Sequence, residues 1–270
     1  VAGGHQTESP DVPTYASVVS RDTVRIALTY AALNDLEVKG SDIQNAYLTA
    51  PCEEKIYTRL GPEFGPDQGK LAMITRALYG LKSAGASFNR HLADCMRHMG
   101  YTACKADPDL WIKIEQRPDD HTWYYSYVLF YVDDCLCIRH NAEERLREIH
   151  KYFPMKDGSI GDPDIYLGAK LRKVTLNNGV QCWALSPTKY VTEAINTTEK
   201  YCKQHFGFDT LPKNGTGPWP NGYVSEIDET PELDHTRARY YQSLIGILHW
   251  MVELGRVDII TETSVLASHM

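Results

Sequence analysis

No stretch of this 270-residue chain approaches the roughly 20 consecutive apolar residues of a membrane span, which leaves no membrane partner to expect. Its start, Val1-Ala2-Gly3-Gly4-His5, lacks the charged and apolar regions of a secretory signal. Cysteine supplies no even-numbered disulfide framework. The seven present (Cys52, Cys95, Cys104, Cys135, Cys137, Cys182 and Cys202) are scattered, a usage that suits free thiols in a reducing compartment. Without an export route, Asn196-Thr197-Thr198 and Asn214-Gly215-Thr216 match the glycosylation pattern only by chance. No internal repeat is apparent, which sets aside a repeat architecture. A net basic charge is also missing. The total of −7 argues superficially against a nucleic-acid partner, because phosphate binding usually leaves a basic footprint.

The distribution of charge qualifies that exclusion. By segment the net charge is −5 for residues 1–69, +4 for 70–117, −1 for 118–205 and −5 for 206–270. The basic segment carries Lys70, Arg76, Lys82, Arg90, Arg97, Lys105, Lys113 and Arg117, with Tyr79, Phe88 and Tyr101 interleaved. It could line a groove, and a solvated helix face explains the same charges equally well. A composition 43% hydrophobic suffices for one large globular domain or two modest ones.

The most informative feature is an adjacent acidic pair, Asp133 and Asp134, inside the apolar run from Tyr124 to Ile138. Burying an uncompensated carboxylate costs several kcal/mol or more. The pair therefore either turns outward in a two-residue hairpin, whose left-handed conformations Asp tolerates, or holds something cationic. The two readings are compatible, since a hairpin at a sheet edge is also a way to offer oxygen ligands to Mg²⁺.

Around the pair, apolar spacing and capping signals predict helices over Ser20–Leu36, Ser83–Met99 and from Asn141 to about Phe153. Strands are expected at Val38–Ile43, Leu110–Glu115, up to Val132, Ile165–Leu176 and Val180–Leu185, with Asn177-Asn178-Gly179 as a hairpin turn. Ser186-Pro187 should cap a helix to about His205, and a last helix should span Asp234–Val252. Between them, residues 207–235 hold Pro212, Pro218, Pro220 and Pro231 and read as a linker. Helices alternating with hairpins indicate an α+β fold.

The order of motifs resembles the reverse transcriptase domain of copia-type retrotransposons. The matching segments are Thr14-Tyr15-Ala16-Ser17-Val18-Val19, Asp42-Ile43-Gln44-Asn45-Ala46-Tyr47-Leu48, Ala77-Leu78-Tyr79-Gly80-Leu81-Lys82, Lys105-Ala106-Asp107, Tyr131-Val132-Asp133-Asp134, Tyr166-Leu167-Gly168, Lys189-Tyr190-Val191 and Ser243-Leu244-Ile245-Gly246. Each is weak alone, but the ordered set is specific.

The resemblance implies a right-hand polymerase with fingers and palm over 1–205, a linker over 206–235 and the start of a thumb or connection region over 236–270. Asp42, Asp133 and Asp134 would form the carboxylate cluster for two Mg²⁺ ions, or Mn²⁺, because phosphoryl transfer needs cations on the primer 3′-oxygen and on the leaving pyrophosphate. Asp134 would act less directly than the other two. Tyr47 would exclude a ribose 2′-hydroxyl, Gly80 would let the backbone approach the templating base pair, and Lys156 would protonate pyrophosphate. Tyr166, Leu167 and Gly168 would form the primer-grip turn. The partners would be a primed RNA or DNA template and deoxynucleoside triphosphates, and the setting a cytoplasmic virus-like particle of the element or the nucleus.

Each residue also has a plainer reading. Asp42 alone is a strand-end carboxylate, Tyr47 a half-buried strand aromatic, Gly80 a turn or capping glycine and Lys156 a surface lysine. His91, Cys95, His98 and Cys104 have a spacing that invites zinc, although a core-edge cysteine is the better account. The family's basic residues before the first motif fall ahead of Val1, Val257 stands where relatives usually have proline, and relatives continue into a ribonuclease H domain. The chain thus reads as a fragment, for which an inert nucleic-acid-binding transposon remnant and a two-metal nuclease remain alternatives to a polymerase.

Overall fold

The computed structural model describes residues 2–207, 210–211, 217, 219, 222–224 and 230–270. By contacts the chain divides into two compact units, Val1–Pro163 with Leu176–Cys182, and Asp164–Thr175 with Trp183–Met270. The fold mixes helices with antiparallel sheets, the expected α+β class. Half of the expected linker over 206–235 lies outside the described residues.

In the first unit, α1 (Arg21–Leu33) begins where expected because the Ser20 side chain accepts the Thr23 N–H and Asp22 sits in the first turn. β1 (Glu37–Asp42) follows and ends at Asp42. A one-turn helix, α2 (Ala46–Thr49), carries Tyr47, so the tyrosine is helical rather than in a strand. Two short strands, β2 (Tyr57–Arg59) and β3 (Leu71–Met73), pair with each other. Then come α3 (Ala84–His98), β4 (Thr102–Ala103), β5 (Leu110–Gln116), β6 (Trp123–Tyr131), β7 (Asp134–Arg139) and α4 (Ala142–His150).

Five of these strands form one antiparallel sheet in the order β1-β7-β6-β5-β4. The two-residue pleat sends Trp111, Val128, Phe130, Cys135 and Cys137 to one face. There they meet Phe88, Leu92 and Met96 of α3 and Leu146 and Ile149 of α4 in a buried core. The opposite face carries Leu129, Leu136, Ile138 and Val38, and α1 packs over it on the side of β1 and β7. The outer edge of β1 is not free, because Gly40 bridges Gly161 and Ile43 bridges Met155. Gly40 permits this close approach, since a Cβ there would lie 3.2 Å from the Pro163 ring.

In the second unit, β8 (Ile165–Tyr166), β9 (Ala169–Thr175) and β10 (Gln181–Ser186) make a three-stranded sheet, followed by α5 (Thr188–Phe206), α6 (His235–Glu253) and α7 (Ile260–Ala267). The stretch expected as one strand over 165–176 breaks at Leu167 and Gly168, whose φ values of +52° and +80° reverse the chain. Pro187 sits at the N-cap of α5 without a side-chain capping bond, so the expected Ser186 cap is absent. Asp234 does cap α6, accepting the Thr236 and Arg237 N–H groups. Tyr201 stacks on Tyr240 between α5 and α6 at 3.4 Å. Among the described residues no helix is long and apolar enough to cross a membrane.

Candidate functional site

The apolar run folds as a tight hairpin, with Tyr131 paired to Asp134 across the β6–β7 turn. The two loop residues are therefore Val132 and Asp133, while Asp134 is the first residue of β7. An Asp pair at the turn itself is thus not what the structure shows. The left-handed position falls to Val132, at φ +59°, where a β-branched side chain costs about 1–3 kcal/mol. The remaining fold must hold that strain.

Asp42 reaches the hairpin by register. It lies opposite Asp134 in the β1–β7 pairing, and the next residue, Ile43, donates its N–H to the Asp133 carbonyl at 2.7 Å. Residues separated by about ninety positions in sequence are thereby held as strand neighbours. Lys156 joins them from the segment that seals the β1 edge. Its backbone N–H donates to the Asp42 carbonyl at 2.8 Å, and its Nζ donates to Asp42 Oδ2 at 2.6 Å. Ser159, placed by the Asp157-Gly158 turn, accepts the Asp42 N–H through Oγ at 3.3 Å. Sequence reasoning missed Ser159, although the Asp-Gly dipeptide was an available turn signal.

Electrostatic crowding follows from this geometry. Burial, and then the charges of Asp133 and Asp42, push the Asp134 carboxyl up to about 6, with Lys156 opposing. The Lys156 ammonium is held above its usual value, chiefly by the hydrogen bond to Asp42. Asp42 Oδ1 is buried and has no hydrogen-bond partner. An oxygen-only donor set with one orphaned oxygen and mutually repelling carboxylates suits a hard divalent cation. Among the described residues, however, no three His, Cys, Asp or Glu side chains already form a metal set, and Asp42 is turned to Lys156 instead.

The crowding has a measurable consequence. A carboxyl whose folded value lies near 6 against 3.8 ordinarily costs nothing well below pH 3.8 and opposes folding increasingly as pH climbs from there to 6. Taken at face value the displacement corresponds to about 3 kcal/mol, and solvent screening of this half-buried group reduces it to about 1 kcal/mol. Asp134→Asn should therefore be about 1 kcal/mol more stable than the parent at pH 7 and equal to it near pH 3. Urea unfolding at the two pH values measures this, and equal stability at pH 7 would contradict the crowding.

Tyr47 is half-buried, stacks on Tyr79 with ring centroids 4.5 Å apart and meets Phe88 at 5.9 Å. Burial raises its hydroxyl pKa, with Tyr79 and Asp133 adding to the effect. Together with Val132, Gly85, Asn89 and Asp109 it lines a cavity of about 80 Å³. The buried Asp109, which the sequence did not single out, has one carboxylate oxygen bonded to Asn89 and the other without a partner. Gly80, the residue after Tyr79, has φ +99°, which accounts for glycine as a turn residue.

Tyr166, Leu167 and Gly168 form the β8–β9 turn of the second unit, with Tyr166 buried. The zinc spacing is not realised among the described residues: Cys95 is buried and His91 lies edge-on to Phe153 at 5.2 Å. All seven cysteines are free, as expected. The basic segment is tied up locally, with Arg90 paired to Glu53, Arg97 to Asp94, Lys82 donating to the Thr7 carbonyl and Lys113 to that of Met99.

Comparison with known proteins points to the same family. Over 187 residues the chain is 30% identical to the retrovirus-related Pol polyprotein from transposon TNT 1-94 of Nicotiana tabacum, covering 67% of this chain and 13% of that polyprotein. Over 233 residues it is 25% identical to the transposon Ty5-1 protein of Saccharomyces cerevisiae, covering 84% of this chain and 68% of that protein. The family described as reverse transcriptase (RNA-dependent DNA polymerase) matches residues 2–205, the stretch that contains Asp42, the hairpin and Lys156. The chain belongs to this reverse transcriptase family, as a domain of the kind found in transposon Pol polyproteins.

Proposed function

We propose that this chain is the polymerase core of a retrotransposon Pol protein and adds deoxynucleotides to a primer 3′ end on an RNA or DNA template. The observation that carries the reading is the pairing of Asp42 with Asp134 beside the Val132-Asp133 turn, which concentrates three carboxylates at the end of one sheet. In a right-hand polymerase this sheet would be the palm. Two Mg²⁺ ions, or Mn²⁺, held by Asp42 and Asp133 with Asp134 in support, would favour loss of the primer hydroxyl proton and offset charge on pyrophosphate.

The protein's own residues do the remaining work. Tyr47, braced by Tyr79 and Phe88, would meet the sugar of an incoming nucleotide and exclude one with a 2′-hydroxyl. Gly80 would give the backbone access to the templating pair, and the Tyr166-Leu167-Gly168 turn would meet primer phosphates. Lys156, protonated and within reach of the acidic cluster, would hold the proton delivered to pyrophosphate.

Primer extension on an RNA template, with and without Mg²⁺, tests the reading. Extension that depends on Mg²⁺ supports it; salt-dependent binding without extension points to an inert remnant, and cleavage without incorporation to a nuclease. Tyr47→Val should keep deoxynucleotide addition and raise ribonucleotide use by roughly 10- to 100-fold, the scale of one bulky contact in a pocket. Competition between the two nucleotide types measures it, and an unchanged ratio removes Tyr47 from sugar selection.

A further inference from the structure

We infer that Lys156 is the resident counter-cation of Asp42, and that a divalent ion loads by exchanging with its ammonium. The inference rests on the carboxylate cluster being a metal site, as proposed above. In the structure the Lys156 Nζ sits 2.6 Å from Asp42 Oδ2, and the side chains are 53% and 29% exposed. It is the positive group acting on a cluster whose members otherwise repel, since Asp133 and Asp42 both push Asp134 upward and Lys156 pulls the other way.

The arrangement is built to release the side chain without releasing the residue. The Lys156 backbone is pinned to Asp42 by its N–H, Met155 bridges Ile43, Gln44 donates to the Pro154 carbonyl at 2.7 Å and Ser159 donates to the Lys156 carbonyl at 3.0 Å. These bonds fix the Cα beside β1. The half-exposed side chain beyond it is held by its pair with Asp42, so on breaking that pair the ammonium stays within one side-chain length of the cluster.

Exchange follows if the ion takes the Oδ2 lone pair that the ammonium now occupies. Mg²⁺ binds oxygen at about 2.0–2.1 Å in an octahedral shell of oxygens, and one lone pair cannot serve the ion and the ammonium together. An ion bound only through the unpartnered Oδ1 would instead leave Lys156 in place. The two cases differ in what the lysine does, and that difference can be observed directly. In the exchange case, loading the ion is the event that sets the Lys156 ammonium free over the site.

The test is a titration of the protein with Mg²⁺, reading the side-chain signal of Lys156 by NMR with ¹³Cε-labelled lysine, assigned from its loss in Lys156→Arg. Binding is measured in parallel with Mn²⁺ by electron paramagnetic resonance. The expected result is a Lys156 signal that moves with the same midpoint as Mg²⁺ binding, and Mn²⁺ affinity that rises about tenfold in Lys156→Gln. A signal that stays put while the ion binds overturns the exchange and leaves the metal site standing. Mn²⁺ binding that is absent, or unaffected by Asp42→Asn, removes the metal site itself and the inference with it.

Discussion

Asp133→Asn is expected to lower primer extension by about a thousandfold or more, close to 4 kcal/mol of transition-state stabilisation, with the fold intact. The substitution keeps the size of the side chain and removes only its charge. It also keeps the Asp133 backbone carbonyl, which receives the Ile43 N–H at 2.7 Å and ties β1 to the hairpin. Loss of activity therefore cannot be traced to a separated hairpin. Single-turnover nucleotide incorporation, with circular dichroism to confirm folding, is the measurement. A rate within about tenfold of the parent would falsify the assignment of Asp133 to the reacting centre. Asp42→Asn is a less clean probe, because it also dissolves the pair with Lys156.

Glu115→Ala is expected to cost about 3–5 kcal/mol of stability, because it breaks a buried ionic group rather than a surface pair. Glu115 of β5 accepts from Arg139 of β7 at 2.8 Å and from Arg145 of α4 at 2.7 Å. The Arg145 side chain is 7% exposed and lies over the Tyr101 ring at 5.4 Å. Without Glu115 the two guanidiniums would face each other, each left with one acidic partner, Glu144 for Arg139 and Glu148 for Arg145. Burial works to raise the Glu115 carboxyl, but the Arg139 hydrogen bond and the guanidinium charges outweigh it and hold the carboxyl below its usual range. Its stabilisation is thus present above about pH 4.5 and disappears as acid protonates it. Urea unfolding at pH 7 and at pH 3 should show the parent and the variant converging in acid. Convergence in neutral solution would mean that the cluster contributes nothing.

Much of the frame was legible because local signals were strong. Ser20, Asn141 and Asp234 cap α1, α4 and α6 as their residue types suggest, and the alternating runs of β5 and β6 fall at the expected places. What the sequence concealed depends on contacts between distant segments. Nothing local places valine in the left-handed turn position, yet Val132 takes it, because pairing Tyr131 with Asp134 leaves only Val132 and Asp133 to turn the chain. The two-residue strand β4 and the one-turn helix α2 are too short to leave a periodic signal. Lys156 is named by the family resemblance, but by itself it reads as an ordinary surface lysine, and the Ile43–Met155 bridge with its own N–H bond to the Asp42 carbonyl brings it to Asp42. Asp109 was equally silent, since a carboxylate between Pro108 and Leu110 says nothing about burial.

The segment that ends in Gly161 has a bearing on how the protein behaves beside other copies of itself. An outermost strand with bare amides and carbonyls is a template on which a second molecule can add its own strand and begin an aggregate. Here the bridges at Gly40 and Ile43 cover that row on β1, and the Lys39–Asp162 pair adds charge alongside. The same short stretch that brings the ammonium to Asp42 thus also shields the sheet from its neighbours. Loosening it is expected to be felt as precipitation.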